Sequence, residues 1–143
     1  HVLDPPMNRK KCWRLTVRDE FCSAPALRHY EGKCEHLHGH NFGVELTVQG
    51  EELLPDTELL LDFKVLRQVL KDTLDTLDHG VLNETPPFDA VNPSSENLAR
   101  HIWRSVAERL RQHPDPQARK VAVASVSVSE KGRQTATYLE WDE

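Results

Sequence analysis

In "HGHNFGVELTVQG", residues 38–50, apolar side chains recur at every second position: Phe42, Val44, Leu46 and Val48. That period is the pleat of a strand with one buried face. Counting backwards puts His40 and His38 on the same side, so two imidazoles sit at the end of a hydrophobic stripe. Gly50 and Pro55 stop the strand.

Working outward, a weaker alternation of Trp13, Leu15 and Val17 predicts an earlier strand. Downstream, Asp62 is placed to cap a helix whose face carries Phe63, Leu66, Leu70, Thr73 and Leu77, with Gly80 as its stop. The proline-rich "ETPPFDAVNPSS" predicts a loop. Asn92 then reads as the cap of a second helix with Pro93 at its first position. Its face is wide, built on Leu98, Ile102, Val106 and Leu110, and His113-Pro114 ends it. Two more strands follow, near 121–129 and 135–141, turning around Gly132. The order is β-β-α-α-β-β with antiparallel pairs and no βαβ rhythm, so the fold class is α+β. Residues 1–11 read as an N-terminal extension and residues 12–143 as one domain.

The composition narrows the function. A formal charge of -5 argues against the broad basic surface used for nonspecific nucleic-acid binding. No apolar run is long enough to span a bilayer as a helix, so no membrane partner is expected. The three cysteines, Cys12, Cys22 and Cys34, form no disulfide framework, which fits a reducing compartment.

The polar residues worth weighing fall in three places. "KCEHLHGH", residues 33–40, holds Cys34, His36, His38 and His40. Two neutral imidazoles at the edge of an apolar surface make half of a zinc site, or else a hydrogen-bonded pair that binds nothing. The residues alone leave both readings open. Cys34 lies in a polar loop, and a neighbouring cation would favour its thiolate. In "LDHGVLN" Asp78 precedes His79 at a helix end, where a turn could bring carboxylate and imidazole together. Taken singly, that histidine is better explained by the helix dipole. Glu130 shares parity with Val126 and Val128, so a carboxylate caps another apolar stripe. Ionised, its two oxygens match two parallel N–H donors, but taken singly it reads better as a solvated glutamate at a hairpin turn.

As an ordered set these motifs resemble the 6-pyruvoyl-tetrahydropterin synthase and 6-carboxytetrahydropterin synthase family. They run from "FCSAPALRHYEGKCEHLHGHNF" through "LLLDFKVL", "LDHGVLN" and "NPSSENLARHIW" to "VSVSEK". A cysteine, three residues and then H-G-H is similar to the bacterial 6-carboxytetrahydropterin synthase branch of queuosine biosynthesis. The resemblance implies the tunnelling fold (T-fold), a four-stranded antiparallel sheet packed with two helices. It also implies cytoplasmic homo-oligomers, commonly hexamers built as dimers of trimers, with active sites between subunits. The implied enzyme is a zinc-dependent lyase, and its implied substrate is 7,8-dihydroneopterin triphosphate. His38 and His40 would hold Zn2+. Cys34 would be the thiolate base, with Asp78 and His79 as a proton relay. Glu130 would anchor the pterin, with Ser95 and Glu96 nearby. Arg28 and Lys33 are positional candidates for the triphosphate.

One departure stands out. The family pattern F-x-A-A-H supplies its first zinc ligand from the final histidine, and this chain has Pro25 there. His29 is the nearest replacement, yet four extended residues span roughly 13 Å. A fold-back at Pro25 would be needed to complete a site of His29, His38 and His40.

Overall fold

The computed structural model describes residues 9–26, 28–29, 39–130 and 132–142. Cys34, His36, His38 and Lys33 lie outside the described residues.

Four antiparallel strands form one sheet in the order β1-β2-β3-β4, with β1 Trp13–Ser23, β2 His40–Gly50, β3 Ala122–Glu130 and β4 Gln134–Tyr138. Helix α1 spans Phe63–Asp75 and α2 Ser95–Arg111, between β2 and β3 in the chain. The β-β-α-α-β-β order read from the sequence is the observed one. On β2, His40, Phe42, Val44, Leu46 and Val48 are all buried and every intervening residue is less so. They meet Val17 and Phe21 of β1 and Val123, Val126 and Val128 of β3. The helices cover this face with Leu66, Leu70 and Leu74 from α1 and Leu98, Ile102, Val106 and Leu110 from α2. Gly43 allows a close approach on the other face, since a Cβ there would lie 2.8 Å from Ser129 Oγ.

Some boundaries differ from the sequence reading. β1 runs six residues past Val17, because Arg18, Asp19 and Glu20 pair with β2 through their backbones although their side chains are exposed. Asp62 does cap α1, accepting from the Lys64 N–H. Phe63, expected on its buried face, is instead 44% exposed, and Val69 and Leu74 are buried there with Leu66, Leu70 and Thr73. The cap of α2 is Ser94, whose hydroxyl accepts from the Asn97 N–H, so Pro93 lies outside the helix. Asn92 is released for another task.

That task is an unusual extension of the sheet edge. Along the outer edge of β1, every second residue from 22 to 28 exchanges hydrogen bonds with the segment 78–92. Cys22 donates to the Asp78 carboxylate and accepts from the His79 N–H. Ala24 donates to the Gly80 carbonyl and accepts from the Leu82 N–H. Ala26 and Arg28 continue the series, but their partners are side-chain amides. Asn83 accepts from the Ala26 N–H and donates to its carbonyl, both at 2.8 Å. Asn92 does the same for Arg28, at 2.9 and 2.8 Å. A carboxamide has one acceptor and one donor face, so it can imitate a neighbouring peptide group. Pro25 has odd parity and is not called on to donate along this edge, so its missing N–H costs nothing there.

Candidate active site

Two groups of side chains gather at the end of the sheet where β1 finishes and β2 begins. The first lies on the core face. His40 ends the β2 stripe with its side chain 5% exposed, and Glu130 ends β3 at 22%. The register pairs Phe42 with Glu130, which places His40 diagonally opposite the carboxylate. Nδ1 of His40 lies 2.8 Å from Oε1 of Glu130. The imidazole also rests against Phe42, ring centroids 6.1 Å apart, and Phe42 stacks on Phe21 at 5.0 Å. A ring seated this way has one edge toward a carboxylate and little freedom to turn.

The second group hangs on the edge of β1. Past α1 the chain turns, and His79 takes a left-handed backbone, φ 57°. This strained conformation is held from both sides by its neighbours. The His79 N–H donates to the Cys22 carbonyl at 2.6 Å, and the Ser23 hydroxyl donates to the Gly80 carbonyl at 2.8 Å. The result is that Asp78 and His79, adjacent in sequence, face one another: Oδ2 to Nδ1 is 2.9 Å. The Cys22 N–H, donating to Oδ1, is the main influence holding the Asp78 carboxyl below its ordinary 3.8. Desolvation opposes it, and His79 adds to the lowering. The His79 side chain is 81% exposed, presented outward on a carboxylate mount.

Because Ser23 pairs with His40 on one side and Ser23 and Ala24 bond Gly80 on the other, the groups lie about two strand spacings apart, near 10 Å. Other predicted residues are not drawn in. Ser95 begins α2 and Glu96 is exposed beside it; neither is hydrogen-bonded or ion-paired to Glu130, Asp78 or His79. His29 is exposed with φ 61°, and the flanking Arg28 is hydrogen-bonded to Asn92. Among the described residues no three His, Cys, Asp or Glu side chains converge as a metal site, and the His38 half of that expectation lies outside them.

Arg28 corrects another expectation. Its guanidinium donates to the carbonyls of Val91, Asn83 and Phe88, at 3.1, 3.4 and 2.7 Å. The group is committed to bracing the 83–91 loop and is not poised for a triphosphate. Sequence reasoning missed Asn83 and Asn92 as the partners of this segment. The one available signal was the spacing of Ala24, Ala26 and Arg28 in phase with Cys22. Two clefts, of about 980 and 720 Å³, share Gln49, Val121 and Ala122 at the opposite end of the sheet from His40.

A four-stranded antiparallel sheet with two helices on one face, gathering imidazoles and carboxylates at one end, defines the T-fold class. The sequence pattern described as 6-pyruvoyl tetrahydropterin synthase matches residues 14–140. The chain is 33% identical over 100 residues to 6-carboxy-5,6,7,8-tetrahydropterin synthase of Synechocystis sp., covering 67% of this chain and 76% of that one. It is 32% identical over 101 residues to 6-pyruvoyl tetrahydrobiopterin synthase of Dictyostelium discoideum, covering 62% and 74%. Its fold superposes on the solved 6-pyruvoyl tetrahydropterin synthase of Caenorhabditis elegans with a TM-score of 0.74 at 24% identity, over 94% of this chain and all of the other. The chain belongs to the 6-pyruvoyl tetrahydropterin synthase family.

Proposed function

We propose that the protein is a zinc-dependent lyase that converts 7,8-dihydroneopterin triphosphate and water into 6-carboxy-5,6,7,8-tetrahydropterin, acetaldehyde and triphosphate, in queuosine biosynthesis. The observation that carries the reading is the shared sheet end, which holds the His40–Glu130 contact and, about two strand spacings away, the edge-held Asp78–His79 pair. Relatives named for the 6-carboxy product support the choice of reaction.

The chain's own groups divide the work. Glu130 offers carboxylate oxygens to the ring N–H and amino group of the pterin, fixing which end of the substrate faces the reacting groups. Cys34, as thiolate, takes a proton from the side chain. His79 exchanges protons with the substrate, while Asp78, 2.9 Å from its Nδ1, orients the imidazole. His40, with His38, would hold the zinc ion, and the donor chemistry fits: an imidazole with one nitrogen against a carboxylate is the common setting of a metal-bound histidine. When bound, zinc supplies Lewis acidity toward the side-chain hydroxyls. His29 is the proposed third ligand, and unchanged zinc content in His29→Ala would remove it from the set. Ser95 and Glu96 are proposed to approach the pterin from α2.

We extend the proposal to a cytoplasmic homo-oligomer, a hexamer formed as a dimer of trimers, in which neighbouring chains complete the site. Trp13, Leu139 and Trp141 are 48, 48 and 76% exposed in the single chain, which supports burial against other copies. Light scattering on the purified protein tests the stoichiometry.

A second reading has its own observation. Pro25 shares the parity of buried Phe21 and Ser23, so the position of the family's histidine holds a side chain that cannot ligate. That favours a diverged pterin-binding homologue with a weakened zinc site. Incubation with dihydroneopterin triphosphate, with and without zinc, and identification of the product by mass separates the readings. The 6-carboxy product supports the lyase, a 6-pyruvoyl product reassigns the reaction, and binding without turnover selects the diverged binder. Cys34→Ala should abolish turnover; full activity there would contradict the proposed base.

A further inference from the structure

We infer that Ser23 is a positioning residue for the Asp78–His79 pair: by holding the Gly80 carbonyl, its hydroxyl keeps His79 in the left-handed turn that points the imidazole at the carboxylate. This deepens the function proposed above, in which His79 exchanges protons with the substrate.

Asp78 and His79 meet at 2.9 Å across a backbone that is left-handed at His79, φ 57°. That conformation is costly for any residue with a Cβ and persists only where neighbours impose it. Packing of the side chain does not impose it here, because the imidazole is 81% exposed. The restraint comes through the backbone, and β1 supplies it at both ends of the turn. On one side the Cys22 carbonyl accepts from the His79 N–H at 2.6 Å. On the other the Gly80 carbonyl accepts twice, from the Ala24 N–H at 3.1 Å and from the Ser23 hydroxyl at 2.8 Å.

The first two of these bonds are made by main chain, whatever side chains stand at 22 and 24. The third depends on a side chain. Ser23 is 4% exposed and shares the buried face of β1 with Val17 and Phe21, so its hydroxyl needs a partner within the fold, and the Gly80 carbonyl is that partner. The pattern F-x-A-A-H has alanine at this position, so the serine hydroxyl is an addition in this chain. Removing it leaves the Gly80 carbonyl its Ala24 donor, so no buried acceptor is orphaned and the fold should survive. What is lost is the shorter of two restraints on that carbonyl, and with it the fixed direction of the turn around His79. An imidazole that swings away from Asp78 is out of line for proton transfer in part of the population. That lowers turnover without weakening substrate binding.

The test compares wild type with Ser23→Ala and with Ser23→Cys, which keeps the volume but donates more weakly. With dihydroneopterin triphosphate as substrate, kcat should fall roughly 10- to 100-fold in Ser23→Ala while KM stays within about twofold of wild type. Ser23→Cys should fall less. Crystal structures of the same proteins should show the Asp78–His79 contact kept in wild type and opened in Ser23→Ala. A wild-type kcat in Ser23→Ala, a change confined to KM, or an unaltered Asp78–His79 contact in that variant overturns the positioning role. If the wild type shows no turnover, the function proposed above fails, and the Asp78–His79 geometry in the paired crystal structures alone decides whether Ser23 sets the turn. Should the alanine variant fold poorly, Ser23→Cys carries the same comparison.

Discussion

Replacing Asn92 by alanine should destabilise the protein by about 2–3 kcal/mol, although no apolar core contact is removed. The side chain makes two hydrogen bonds to the backbone of Arg28, one accepted at 2.9 Å and one donated at 2.8 Å. Each is worth about 1 kcal/mol net, and the groups left behind are partly buried, so water replaces them incompletely. For a chain of this size roughly 3 °C of melting temperature corresponds to each kcal/mol, predicting a fall of about 6–9 °C. The urea midpoint should fall with an unchanged slope, because the surface exposed on unfolding is the same. Asn92→Asp is the sharper variant: it keeps an acceptor for the Arg28 N–H but sets a negative oxygen against the Arg28 carbonyl. It should be no more stable than the alanine variant. Asn83→Ala, which removes the matching pair to Ala26, should cost a similar amount. A loss below about 0.5 kcal/mol in Asn92→Ala would refute the side-chain ladder as a source of stability.

Three further outcomes follow from the same geometry. Because the Asp78 carboxyl is held below 3.8 in the fold, its ionised form contributes stability above its unfolded value, and that contribution vanishes as pH falls through the lower folded value. Wild type should thus exceed Asp78→Asn at neutral pH and converge with it in acid; denaturation across a pH series checks this, and an undiminished gap in strong acid contradicts it. Gly43→Ala should cost less than about 1 kcal/mol in thermal melts, because the atom its Cβ would meet at 2.8 Å is the Ser129 hydroxyl, which can rotate away; a larger loss would mean that the hydroxyl is fixed. Pro25→His should raise the zinc retained through gel filtration, measured by elemental analysis; no gain would mean that position 25 does not face the proposed site.

What could be read from the sequence was whatever a two-residue period records. The alternation in β2 fixes which side chains share a face, so the burial of His40 followed from Phe42, Val44 and Leu46 without any tertiary information. The same count through Val126 and Val128 put Glu130 on the core face. Asp62 was legible as a cap because capping is a bond between near neighbours. Asn92 was misread for the complementary reason: a local rule assigned it to the helix beside it, while its partner is Arg28, 64 residues away.

Only the tertiary structure decided how the pieces meet. Periodicity says that His40 and Glu130 each end a stripe, but their 2.8 Å contact depends on the register between β2 and β3. Asp78 and His79 are adjacent in the chain, yet they face one another because the turn after α1 is tied to the edge of β1, more than fifty residues earlier. A sequence specifies local conformation through near-neighbour sterics, but the alignment of distant segments is set by which of many competing backbone pairings also buries the apolar faces. That choice belongs to the whole chain at once.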